Sequence, residues 1–180
     1  MILYFVAILT SAPAAIDPQH DSRFDCVLES APANFGDQIL DNLIAGMAVS
    51  EAEDRSAEED EPAVDFRSLA RSCRESSGIS DDKANAYATA VYAQVVGSAA
   101  RKQLANMGFD FSVIDQADYL SHSGALPKLP DRVKEDVRRQ VNAFSEENPN
   151  RARRVALLTQ IYFMQAFLLT ISIAQLSAQE

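Results

Sequence analysis

Between Val155 and Leu176 the chain reads VALLTQIYFMQAFLLTISIAQL, without one charged side chain. A helix of that length about matches the hydrocarbon core of a bilayer. Two folds accommodate it. It can be a membrane anchor, or it can be the central helix of a bundle, where a helix apolar on all sides finds neighbours. Its length and the basic cluster Arg151, Arg153 and Arg154 at its start favour an anchor. Gln160, Gln165 and Gln175, with Thr159, Thr170 and Ser172, count against one, because lipid offers such groups no partners. The bundle reading takes precedence, and membrane contact through residues 155–176 is its alternative.

The amino terminus bears on the same choice. Ile2–Leu9 is an unbroken apolar run, too short to span a membrane as a helix, and Ala12-Pro13-Ala14 follows it. An apolar core followed by an A-x-A site is the pattern of a secretory signal, so residues 1–14 read as one, cleaved after Ala14. No Lys or Arg precedes the run; the α-amino group then supplies the positive charge, or the start lies upstream of Met1. An exported chain would enter the 155–176 segment from outside and leave the three arginines on the non-cytoplasmic face. That opposes the positive-inside preference. The expected location is therefore periplasmic or secreted, with membrane association as the alternative.

Two cysteines, Cys26 and Cys73, are expected to form one disulfide in an oxidising compartment. They are too far apart in sequence for a C-x-x-C redox pair. Residues 15–180 are long enough to bury most of a single core and read as one helical domain.

Strand signals are nearly absent, whereas helical periodicity recurs between capping residues. Asp17-Pro18 opens a first helix that places Phe24, Val27 and Leu28 on one face. Asn34 opens a second, with Phe35, Ile39, Leu40, Leu43, Ile44 and Met47 inward. A third starts near Pro62 or Asp65 and ends at Gly78, with Phe66, Leu69, Ala70 and Cys73 inward. Ser80 caps a long fourth that Gly108 closes. A short helix ending near Gly124 follows, then one capped by Asp131 and broken at Asn148-Pro149-Asn150. The apolar C-terminal helix occupies residues 151–178. The expectation is an all-α bundle of six or seven helices with an apolar C-terminal helix.

The formal net charge is −10, which argues against nucleic acid and anionic lipid as partners. It is unevenly spread. Residues 16–62 hold thirteen acids and two bases; residues 63–180 hold thirteen acids and fourteen bases. Residues 49–62, containing Glu58, Glu59, Asp60 and Glu61, have no large apolar side chain and read as an acidic loop or linker. Asp17, Asp21, Asp25 and Glu29 recur every four residues and form a carboxylate row, a spacing that Asp37 and Asp41 repeat. The row and the acidic loop are candidate contact surfaces. The acidic third can meet the Arg151, Arg153 and Arg154 cluster, or both can be solvated faces.

His20 and His122 are the only histidines. Asp118 and His122, followed by Ser123, read as a solvated pair rather than a triad, since triads are defined by geometry. No phosphate loop, G-x-S-x-G elbow, H-E-x-x-H or EF-hand pattern occurs. No catalytic residue, cofactor or metal site is expected. The first functional reading is a non-catalytic binding or chaperone-like module with a protein partner. A membrane-associated accessory subunit is the second, and a hydrolase built from carboxylates or His122 is the third.

Overall fold

The structure, a computed structural model, describes residues 22–49, 65–115 and 129–178. These residues form an all-α bundle of seven α-helices with one disulfide, and no strand is found among them. In chain order the helices are α1 (Asp25–Ser30), α2 (Phe35–Val49), α3 (Phe66–Ser76), α4 (Ala84–Asn106), α5 (Ser112–Asp115), α6 (Asp131–Glu147) and α7 (Pro149–Ser177). Single 3-10 turns, Ser22–Phe24 and Asp81–Lys83, lead into α1 and α4.

The axis of the bundle is the antiparallel pair α4–α7. Both helices are almost free of charge where they meet, so both need a dry partner. The Lys83 ammonium donates to the Leu176 carbonyl at one end (2.6 Å). At the other, the Arg151 guanidinium donates to the Met107 carbonyl (2.6 Å). Helices α2 and α3 pack on α4, and α6 packs on α7. One apolar cluster joins Leu40, Leu104, Ile114, Val133, Leu158 and Ile161; the other joins Phe24, Val27, Phe35, Cys73, Tyr87 and Leu169. Helices α2, α4 and α7 contribute to both.

Helix ends follow local chemistry. Asp65 caps α3, accepting from the Arg67 amide (2.9 Å) and the Ser68 hydroxyl (2.6 Å). Gly78 takes φ +67°, a left-handed conformation that costs glycine little, and so ends that helix. Arg74, buried in the last turn of α3, donates to the Ile79 carbonyl and pairs with Asp81, tying α3 to the start of α4.

Some boundaries differ from the sequence reading. Asp131 does not cap α6. Pro130 holds the cap position, and Asp131 lies in the first turn, paired with Lys134 three residues on. Asn148-Pro149-Asn150 separates two helices, but only Asn148 lies outside them. Its side chain accepts from the amides of Asn150 and Arg151, and Pro149 begins α7, where no donor is required of it. Leu28, expected on the inner face, is 37% exposed, because α1 is a helix of under two turns whose inward side is filled by Val27. Val49 belongs to α2, so the acidic segment can begin only after it. The signal segment, most of that acidic segment, and the region around His122 lie outside the described residues.

Polar groups inside the 155–176 run are handled in two ways. Thr159 and Thr170 return their hydroxyls to the carbonyls four residues back, Val155 and Ala166. Gln165 is 1% exposed, and its Oε1 has no hydrogen-bond partner; Gln94 on α4 is 3% exposed and likewise unpartnered at Oε1. The antiparallel register brings these two glutamines to the same level of the pair.

Two outcomes are expected. Replacing both Cys26 and Cys73 by Ala lowers the unfolding free energy by about 4 kcal/mol on the chain-entropy account of a closed loop. Urea denaturation measures it, and a loss below about 1 kcal/mol would mean that the helices alone fix this corner. Replacing both Gln94 and Gln165 by Met removes two unsatisfied buried oxygens, so the denaturation midpoint rises, by the equivalent of about 1–3 kcal/mol. A fall in the midpoint would mean that the amides are satisfied in solution.

Candidate functional site

The Cys26–Cys73 disulfide fixes α1 against α3, with the two Cα atoms 5.6 Å apart. The chain then turns through Ala31–Asn34 into α2, which lies close along α4. Gly36 permits that approach. A Cβ there would meet the Val95 carbonyl oxygen at 3.1 Å and the Ala99 Cβ at 3.3 Å. Such distances are tighter than ordinary packing allows, so any larger residue would push α2 outward.

This close approach leaves a notch of about 210 Å³ between α1, the turn and α4. Phe35, Val95 and Ala99, all buried, form its floor, and Leu28, Ala31, Pro32 and Ser98 stand around it. At the mouth Lys102 donates to Asp37 (2.9 Å), with the Gln103 amide also near Asp37 (3.5 Å). The notch has an apolar floor, walls on two sides and a charged rim. It is smaller than the roughly 300–1,000 Å³ typical of small-molecule sites and suits one apolar side chain.

A second cluster ties the lower end of the bundle together. The Arg101 guanidinium makes two hydrogen bonds to the Asp115 carboxylate (2.8 and 2.7 Å) and one to the Tyr162 hydroxyl (3.2 Å). It also lies 4.1 Å from the centre of the Phe111 ring. The Asp115 carboxylate holds this guanidinium charged more firmly than usual, outweighing partial burial. A cation locked to an anion, a phenol and a ring is positioned to join α4, α5 and α7.

The shifted carboxylates are also structural in character. Asp65 is held below its ordinary value by the Ser68 hydroxyl, Asp82 by the Ser80 hydroxyl, and Asp110 by the Ser112 amide. Each is a hydrogen-bonded anion beside a helix start, where the ionised form is favoured. Burial raises the phenols of Tyr87 and Tyr92, which keeps them neutral. Among the described residues no group of three or more His, Cys, Asp or Glu side chains is placed to hold a metal ion.

The residues singled out from sequence fall in several places. Asp25 and Glu29 sit on α1, Glu29 exposed and Asp25 half-buried. Asp17, Asp21, Glu58, Glu59, Asp60 and Glu61 lie outside the described residues, as do His20, Asp118, His122 and Ser123. All three arginines of the basic cluster are exposed, and Arg151 and Arg154 reach neighbouring helices. Arg151 spans Met107, Glu147 (3.4 Å) and the Phe144 ring (4.9 Å). Arg154 donates to Gln103 (3.0 Å) and lies 3.8 Å from Asp41. Among the described residues, Arg154 and Asp41 bring the arginines and the acidic third together in an exposed pair, a contact worth little by itself. Arg153 is exposed on the same turn.

Sequence reasoning missed the notch. Its only local signal was Leu28, apolar yet next to Glu29 and Ser30, and periodicity assigned it inward. The rim pair Asp37–Lys102 joins residues far apart in the chain and has no local signal at all.

No protein-family model matches the chain, and no curated protein or solved structure does.

The capping carboxylates set a pH dependence. Asp65, Asp82 and Asp110 have native pKa values below the ordinary value of about 3.8. Their contribution is fully present above the unfolded value and is lost as pH falls through the lowered native values. The urea midpoint should therefore drop as pH falls below about 4, and drop less steeply in the Asp65→Asn/Asp82→Asn/Asp110→Asn variant. Equal slopes for the two proteins would assign acid sensitivity to other groups.

Proposed function

We propose that this chain is an exported, non-catalytic binding module that seats an apolar side chain of a protein partner in the notch beside Leu28. The observation that carries this reading is the notch itself, a preformed apolar socket with buried Phe35, Val95 and Ala99 beneath an exposed leucine. Its size fits a side chain better than a substrate. The Asp37–Lys102 rim supplies one charge of each sign, which a passing backbone or polar side chain can meet. The disulfide supports export, since such bonds persist in oxidising compartments. The wall of the socket stands on α1, which that disulfide holds to α3.

A membrane-associated accessory subunit held by residues 155–176 is the alternative. Its support is α7 itself, 29 residues and about 43 Å long. Half of its most apolar stretch is buried against the bundle. Leu158, Ile161 and Leu169 would have to leave α4 for the helix to face lipid on all sides. That requirement supports the bundle-centred reading over the anchor.

A photo-crosslinking residue in place of Leu28 tests the proposal in the intact cell envelope. A discrete protein adduct is expected from position 28 and none from position 145, an exposed site on α6. Adding Ser98→Phe fills the notch from α4 and should remove the adduct while leaving the helical circular dichroism unchanged. No adduct from position 28, or one that survives Ser98→Phe, would overturn the reading.

A further inference from the structure

The notch is built from two unequal parts. Its floor, Phe35, Val95 and Ala99, belongs to α2 and α4, which pack on each other. One whole wall, from Leu28 to Ala33, belongs to α1 and the turn after it. That wall has the weaker footing. Helix α1 is six residues long, far below the roughly 12–15 that an isolated helix needs. It packs chiefly on α3 and on the preceding turn, Ser22–Phe24.

Helix α3 has ties of its own to α4. Arg74 donates to the Ile79 carbonyl (3.1 Å) and pairs with Asp81 (2.6 Å), and the Phe66 ring meets the Tyr92 ring edge-on at 5.8 Å. Cys73 is thus held in place whether or not it is bonded to Cys26. Helix α1 reaches that frame through the disulfide, through buried Phe24 and Val27, and through the Tyr87 hydroxyl, which donates to the Arg23 carbonyl (3.3 Å). Ordering residues 25–34 costs conformational entropy at every position, and two buried side chains offset only part of it.

We infer, on the reading that the notch is the binding surface, that it exists only while Cys26 and Cys73 are joined, so that partner binding is under redox control. Cutting the bond leaves the floor and frees the wall, and a socket becomes a flat patch. The bond is open to exchange from one side. Cys26 is half-buried, its sulfur 3.8 Å from the hydroxyl of exposed Ser76, whereas Cys73 is 2% exposed. A thiolate of an external dithiol attacks the Cys26 sulfur, the S–S bond breaks, and Cys73 leaves as a thiolate and takes up a proton. The second thiol of the reductant then displaces Cys26 from the mixed disulfide, and Cys26 takes up the other proton. The reductant ends as a disulfide and the chain as two thiols, having received two electrons.

The test compares the full chain before and after reduction with dithiothreitol, together with the Cys26→Ser/Cys73→Ser variant. In the joined form the Ala31 amide is bonded to the Val27 carbonyl and the Phe35 amide to the Pro32 carbonyl, each at 2.9 Å. Hydrogen exchange at both amides, read by NMR, should quicken by roughly a hundredfold once the bond is cut. Amides of α4 and α7 should stay protected, and circular dichroism should lose no more than one short helix. Unchanged exchange at Ala31 and Phe35 overturns the inference. Loss of protection in α1, α4 and α7 together overturns it too, since the disulfide would then support the whole bundle rather than the notch. In the cell envelope, the photo-crosslinker at position 28 should give at least about tenfold less adduct from the Cys26→Ser/Cys73→Ser chain than from the disulfide-bonded chain at equal abundance. An undiminished adduct from that variant counts against redox control. No adduct from either chain overturns the notch reading, and redox control of binding with it, while faster exchange at Ala31 would still assign the wall to the disulfide.

Discussion

The dry, antiparallel contact between α4 and α7 is the constraint on which the other elements depend. Each helix is too apolar along its centre to stand in water. Together they hide Val91, Leu104, Leu158 and Ile161 and leave outer faces for the rest of the bundle. Small residues on α4, Ala90, Ala93, Gly97 and Ala100 among them, are buried in the bundle. Helices α2 and α3 then complete one side of α4, and α6 completes one side of α7. α6 does so with a single apolar stripe, Val133, Val137, Val141 and Phe144, on an otherwise charged helix. The order of importance follows burial: the central pair cannot do without its partner, whereas the outer helices present one face to water and need only the other covered.

Polar groups within this core divide by what they can reach. The Thr159 and Thr170 hydroxyls satisfy themselves on α7, their own helix, at little cost. The Arg101 guanidinium cannot, and it recruits Asp115 from α5, Tyr162 from α7 and the Phe111 ring, which offset its partial desolvation. Gln94 and Gln165 are the exception, each with an oxygen left unmatched in the driest part of the molecule. Such a pair lowers stability. The notch depends on the same pair, since it uses the face of α4 that α2 covers incompletely.

The sequence by itself determined the helical class, because the spacing of Phe35, Leu40, Leu43 and Met47, or of Val133, Val137 and Val141, has only one regular solution. It also determined most helix ends, through Asp65, Gly78 and Gly108, since capping and left-handed turns act over a few residues. The disulfide was legible because two cysteines allow a single pairing. What only the tertiary structure decided is whatever depends on meeting between distant segments. Leu28 faces outward because Val27 takes the inward position on the short helix α1. Asp37 finds Lys102, and Arg101 finds Asp115 and Tyr162, through the approach of α2 and α7 to α4. The uncharged run at Val155–Leu176 has a clear composition and an ambiguous destination. Lipid and a bundle interior both exclude water, so composition reports the dryness alone, and only the packing of α4 against one side assigns which half is core and which half is surface.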